Sequence, residues 1–217
     1  MFLLPFLSAP KPVVCIDPGH TSEVGSGTRG KRLTELRFAW DVAVDLRARL
    51  LADGVTVVMT KSRIDERVTN HRRSDIANAS GAALFVRLHC DAATNSGSTT
   101  YYPDRQGRAQ GKIGPSREVL ATTRRLAPAF HRAYAQTVRA GGLVDNGLKS
   151  DIYTAIGSKQ GALTGSIFSH VPVVLVEMVV LTNPRDEAFA LSKRGRATIV
   201  SGLEAGTLAA LSLSAKR

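Results

Sequence analysis

The stretch VVCIDPGH at 13–20 passes from β-branched and small apolar residues into an Asp-Pro-Gly turn signal. That composition predicts a short buried strand over 13–17, ended by the Pro-Gly pair. The loop behind it, PGHTSEVGSGTRGKR at 18–32, is too glycine-rich for a regular element, so the strand delivers polar residues into a loop. From Thr34 the apolar positions Leu36, Trp40, Ala43, Leu46 and Leu50 recur at helical spacing, with Thr34 as N-cap and Gly54 as the stop. VTVVMT at 55–60 reads as a second strand, 67–79 as a polar helix, and ALFVRLHC at 83–90 as a third, buried strand. Strand, helix, strand, helix, strand is the order of an α/β fold, a single domain with a mixed, mostly parallel β-sheet flanked by helices.

The remainder of the chain fits that frame. VPVVLVEMVVL at 171–181 is apolar throughout and is the expected central strand, and a last helix is expected over 195–211. SGSTTYYP at 96–103 reads as a strand, and 115–140 as a long helix kinked at Pro128. These place a helical insertion around 97–170 within a domain spanning 13–213, followed by a tail at 214–217. The leader, MFLLPFLSAPKP at 1–12, is apolar but lacks the cationic start of an export signal. It is either the remnant of such a signal or a segment packed on the domain.

With 217 residues, 43% hydrophobic and 22% charged, the chain has the balance of a globular protein with a sizeable core. Its formal net charge of +11 and pI near 10.3 call for a polyanionic partner: nucleic acid, an acidic membrane surface or an acidic envelope polymer. Aromatic residues make up only 6%, and no basic stretch is interleaved with them, which argues against nucleic acid. There is no apolar run of the roughly eighteen residues that a transmembrane segment needs. Cys15 and Cys90 are too few for a disulfide framework and read as small buried residues.

Active sites in open α/β sheets gather at the carboxyl ends of strands. His20 follows the first strand, Glu35 opens the first helix, His89 closes the third strand and Glu177 interrupts the apolar 171–181 run. Two imidazoles and a carboxylate suit a catalytic zinc site that keeps one position open. Each histidine taken singly reads more readily as a packed or surface residue than as a ligand. Glu177 is sharper, because a carboxylate in a buried run must be paired, metal-facing or functional.

These residues sit in blocks that resemble the zinc-dependent N-acetylmuramoyl-L-alanine amidase family, type 3. The blocks are VVCIDPGH, LTELRFAWDVAVDLRARLLADGVTVVMTKSR, RRSDIANASGAALFVRLHCDA and VPVVLVEMVVLTNPRDE, in this order from Val13 to about Leu211. The resemblance implies Zn2+ held by His20, Glu35 and His89, and Glu177 as the catalytic carboxylate. It also implies hydrolysis of the amide between N-acetylmuramic acid and L-alanine in peptidoglycan. The expected location is the bacterial cell envelope, periplasmic or secreted, where anionic envelope polymers would meet the basic surface. A catalytically silent wall-binding module, or a zinc carboxypeptidase or deacetylase, would keep the same ligand type.

The chain departs from the family pattern around the second histidine, where Arg87-Leu88-His89-Cys90-Asp91-Ala92 replaces the usual Ser-Ile-His and Asn-Ala. By strand alternation Arg87 shares a face with His89, so it is expected to contact substrate carboxylates, pair with Asp91 or repel the metal. Asp91 and His170 are further substrate-side candidates. Arg73 is expected in a structural salt bridge, Asn183 in the turn after the last strand, and Trp40 in the core. His71 and His131 are expected to be solvated or packed.

Overall fold

The computed structural model describes residues 11–214, so most of the leader and the last three residues of the tail lie outside the described residues. The first half follows the expected order: β1 (Val13–Pro18), α1 (Glu35–Ala52), β2 (Thr56–Met59), α2 (Asn70–Ala79) and β3 (Leu84–Asp91). Next come β4 (Ser98–Tyr102), the short strands β5 (Gly107–Ala109) and β6 (Lys112–Gly114), α3 (Arg117–Ala140) and β7 (Asp145–Ser150). A 3-10 turn (Asp151–Tyr153) and the short helices α4 (Gly157–Gln160) and α5 (Thr164–Phe168) lead into β8 (Val173–Val180), α6 (Pro184–Leu191) and α7 (Lys193–Ser214).

Six strands form one sheet in the order β2-β1-β3-β8-β4-β7. Every pairing is parallel except β4 with β8, which makes the sheet mixed and places the apolar β8 inside it. The segment expected as a helical insertion at 97–170 differs from that description. It supplies α3, but β4 and β7 within it extend the sheet by two strands, and β5 pairs with β6 as a separate hairpin.

Side-chain alternation sends the two faces of the sheet to different partners. Val14, Ile16, Leu84, Val86, Leu88, Val174, Val176 and Met178 join the main core with α1, α3 and α7. At roughly 1.5–3 kcal/mol per fully buried aliphatic or aromatic side chain, this layer supplies most of the fold's driving force. Helix α7 is long and apolar enough to cross a membrane by length and composition. Its Ile199, Val200, Leu203, Ala210 and Leu211 instead pack in the same cluster as Phe130, Tyr134 and Val138 of α3. Cys15, Phe85 and Val173 face the other way, toward Ala77 of α2. Cys15 and Cys90 are both buried and free and belong to clusters on opposite faces.

Helix α1 starts where expected, because the Thr34 side chain accepts the Arg37 N–H. Its buried stripe runs through Glu35, Phe38, Val42, Ala43, Leu46 and Leu50, so the core placement expected for Trp40 is not what is found. Ala43, Leu46 and Leu50 are buried as expected, but with Glu35 turned inward the first turns bury Phe38, Ala39 and Val42 in place of Leu36 and Trp40. Trp40 becomes a half-buried wall of a groove of about 580 Å³, with the Lys61 ammonium 5.7 Å from its ring centre.

Candidate metal centre

The carboxyl ends of β1, β3 and β8 converge on one rim of the sheet, where the parallel register sets His89 directly opposite Glu177. His20 lies two residues beyond β1, and Glu35 enters from the first turn of α1. Glu35 Oε1 lies 3.2 Å from His20 Nε2 and 2.9 Å from His89 Nδ1, and the potential ligand atoms of the three residues all fall within 4.8 Å of one another. Ligand atoms held tetrahedrally about 2.0–2.1 Å from a zinc ion stand about 3.3 Å apart, so the spacing fits such an ion. The donor set fits as well. His20 Nδ1 donates to the Gly25 carbonyl at 3.1 Å, which leaves the Nε2 lone pair for a metal.

Surrounding groups fix this geometry. Glu35 Oε2 accepts the Thr28 N–H at 2.7 Å, and Oε1 also accepts the Cys90 N–H at 3.1 Å. Burial raises the Glu35 pKa, but the hydrogen bonds and charges of His20 and His89 outweigh it and hold the carboxyl well below the usual range. Burial lowers the His89 pKa, with Glu35 opposing, and so favours the neutral ring that a metal requires. The His20 and His89 side chains are 12% and 15% exposed, so the centre is open to solvent at one edge. Two glycines leave room for it. A Cβ on Gly19 would sit 2.6 Å from His89 Cε1, and one on Gly27, at φ 84°, would sit 2.5 Å from Glu35 Oε2.

Glu177 Oε2, like His89 Nε2 beside it, is buried and makes no hydrogen bond. Burial first, then the negative charges of Glu35 and Asp91, push its pKa well above the ordinary carboxylate value. An arginine salt bridge, the plain alternative for this carboxylate, is not formed. Arg87, the arginine whose charge reaches it, is committed to Asp17, as is Arg73.

Those arginines build a buried cage beneath the His20 loop, a feature that motif reading does not reveal. Arg73 Nη1 donates to Asp17 Oδ1 at 2.5 Å and to the Pro18 carbonyl at 2.7 Å, while Nη2 donates to the His20 and Thr21 carbonyls at 3.1 Å each. Thr60 Oγ1 donates to Asp17 Oδ1 at 2.6 Å, and Lys61 Nζ donates to the His20 carbonyl at 2.5 Å. Burial opposes ionisation of Asp17, but Arg73 and Arg87, with the hydrogen bonds from Thr60 and Arg73, hold its pKa well below the usual carboxylate range. The one available signal is Asp17 itself, since an aspartate in a buried strand demands cationic partners.

The expected substrate contacts fare unevenly. Arg87 does share a face with His89, but it is 3% exposed, and it donates through Nε to Asp17 Oδ2 at 2.9 Å and through Nη2 to Asn70 Oδ1 at 2.7 Å. It is a buried strut, paired with neither Asp91 nor solvent. His170 precedes β8 and therefore lies at the amino end of that strand, away from the rim. It is exposed there, with Nε2 2.9 Å from Lys112 Nζ. Asp91 stays at the rim beside a register shift in β3, and its charge reaches both Glu177 and Tyr101. Arg73 forms the expected structural ion pair, and Asn183 caps α6 by accepting the Arg185 N–H at 2.9 Å. The His71 ring lies tilted against Phe168 with its side chain half exposed, and His131 Nδ1 lies 3.0 Å from Thr100 Oγ1.

A second buried carboxylate behaves oppositely to Asp17. Burial pushes Asp151 up to about 6, against the lowering effect of the Ser166 and Leu163 hydrogen bonds, and its Oδ1 has no partner. A folded-state pKa raised above the ordinary value of 3.8 favours the fold below about pH 4, and that advantage is lost as the pH rises through about 6. Asp151→Asn should therefore gain melting temperature relative to the wild type by a few degrees between pH 4 and pH 7.5, followed by thermal scans. Parallel pH profiles would contradict the assignment.

Comparison with known proteins places the chain. The family model described as N-acetylmuramoyl-L-alanine amidase matches residues 14–207. N-acetylmuramoyl-L-alanine amidase CwlM of Mycobacterium tuberculosis is 25% identical over 195 residues, covering 88% of this chain and 43% of that protein. AmiA of Escherichia coli, an N-acetylmuramoyl-L-alanine amidase, is 24% identical over 227 residues, covering 93% of this chain and 76% of that protein. The chain thus spans less than half of the first relative and about three quarters of the second. Among solved structures, N-acetylmuramoyl-L-alanine amidase AmiC2 of Nostoc punctiforme superposes with a TM-score of 0.74 at 22% identity, covering 94% of this chain and 99% of that one, which shows a shared fold.

Proposed function

Because the chain belongs to the N-acetylmuramoyl-L-alanine amidase family, we propose that it hydrolyses the amide joining N-acetylmuramic acid to the L-alanine of the peptidoglycan stem peptide, with Zn2+ as its metal. The observation that carries this is the convergence of His20, Glu35 and His89 on one point of the rim, with the unpartnered carboxylate of Glu177 across the strand pair. Zinc bound there would supply a Lewis acid that polarises a carbonyl oxygen and acidifies water toward a pKa of about 7.

The chain's own residues do the rest. His20 and His89 hold the metal through neutral nitrogens, so that only Glu35 offsets its charge. Glu177 takes the proton of the attacking water at Oε2 and returns it to the departing alanine nitrogen. A carboxylate with a raised pKa suits both halves of that transfer. The Asp17–Arg73 cage holds the His20 backbone while the ring engages the metal.

The proposed setting is the bacterial envelope, periplasmic or outside the cell, where the +11 charge draws the domain toward anionic envelope polymers and stem-peptide carboxylates. Dialysis against a chelator should abolish release of stem peptides from purified peptidoglycan, and equimolar zinc should restore it. Activity that persists in metal-free protein would refute the zinc assignment.

A further inference from the structure

Lys149 places a cation on the active face of the sheet, and the described residues give it no carboxylate partner. Direct cross-strand neighbours share a sheet face. Glu177 and Leu175 of β8 pair with Thr99 and Tyr101 of β4, and Tyr101 pairs in turn with Lys149 of β7. Glu177, Leu175, Tyr101 and Lys149 therefore form one surface that starts at the catalytic rim. With strands about 4.8 Å apart and about 3.3 Å per residue, Lys149 stands roughly 12 Å from Glu177, two strands across and two residues along.

The turn after β7 brings Tyr153 over this surface. Tyr101, Lys149 and Tyr153 line a pocket of about 470 Å³, with Tyr101 8% exposed as a buried wall and Tyr153 72% exposed at the mouth. The neighbouring cations are already engaged, Arg105 by Asp104 at 3.1 Å and Arg87 by Asp17. The charge is also graded along the surface. Asp91 stands at the rim, and Lys149 puts a positive charge on the far wall.

We infer that Tyr101, Lys149 and Tyr153 form a subsite that takes a free carboxylate of the stem peptide, three or four residues beyond the bond cut. This rests on the amidase assignment, which sets the scissile amide at Glu177. An extended peptide covers about 3.3–3.6 Å per residue, so three to four residues span the distance. Lys149 accepts the carboxylate in a charge-assisted hydrogen bond between two aromatic walls. Neutral sugar hydroxyls would have no need of the cation.

The test compares two muramyl peptides, one with its stem carboxylates free and one with them converted to primary amides. The wild type should show a KM about tenfold lower for the free-carboxylate peptide, the size of one charge-assisted hydrogen bond. Lys149→Ala should raise KM for that peptide alone and bring the two substrates level, and Lys149→Arg should restore part of the difference. Binding of both peptides to the Glu177→Gln protein, measured by calorimetry, reads the same preference without turnover. A wild type indifferent to amidation, or a Lys149→Ala effect equal on both peptides, would overturn the subsite. If neither peptide is cut but the calorimetric preference is present and depends on Lys149, the amidase assignment fails while the subsite stands.

Discussion

Glu177→Gln should reduce stem-peptide release by at least about 10²–10⁴-fold, the usual contribution of a positioned acid–base group, while the protein keeps its metal. The glutamine is nearly isosteric, and it removes a buried charge that has no partner on Oε2, so the fold should not suffer and may not be invoked to explain the loss. His20, Glu35 and His89 are untouched by the change, which is why metal content separates this variant from a ligand variant. Metal analysis alongside peptide release checks both halves. Wild-type turnover in Glu177→Gln would remove Glu177 from the chemistry.

Arg73→Ala should be the most damaging change outside the metal ligands. Arg73 is 1% exposed, and its guanidinium serves Asp17 together with the Pro18, His20 and Thr21 carbonyls. Removing it leaves Asp17 with Arg87 and Thr60 only and strips a donor from the His20 backbone. Breaking a buried pair from one side costs about 3–5 kcal/mol, a large share of the roughly 5–15 kcal/mol that holds a domain of this kind together. Urea unfolding should show that loss. In protein that still folds at low temperature, zinc affinity should fall as well, because the loop carrying His20 is no longer held. Arg73→Lys cannot bridge four acceptors from one ammonium and should recover little. Stability within about 0.5 kcal/mol of the wild type would show that the cage is dispensable.

Local signals explain which parts of this molecule were legible from sequence. Strands β1, β3 and β8 are runs of apolar residues, and α1 carries its own N-cap, so their periodicity suffices. Strand β7, DNGLKS, is polar and exists because β4 offers it a parallel edge, which no local pattern encodes. The β5–β6 hairpin is three residues a side, shorter than any period can establish. Helix α6 escaped although Asn183-Pro184 is a readable start, a cap followed by proline at the first position.

The site divides in the same way. His20 and His89 fall after or near strand ends and Glu35 at a helix start, while Glu177 lies inside β8, where the parallel register sets it opposite His89. The placement of Arg87 depended on depth as well as face. Alternation puts it beside His89, but only the buried Asp17 one strand away determines where its guanidinium goes. His170 was misplaced for a simpler reason: it stands before β8, and the rim is formed where strands finish. Tyr101, Lys149 and Tyr153 carry no motif, and the β4 and β7 segments that hold them meet only through the parallel pairing of those two strands.

The central claim is tested most directly by digesting purified peptidoglycan with zinc-loaded protein and identifying the products by mass spectrometry, with metal counted on the same sample. The account predicts about one zinc per chain, free stem peptides that begin with L-alanine, and glycan strands left with unsubstituted lactyl groups. Intact muropeptides in the presence of bound zinc, or fragments cut within the stem peptide, would contradict it.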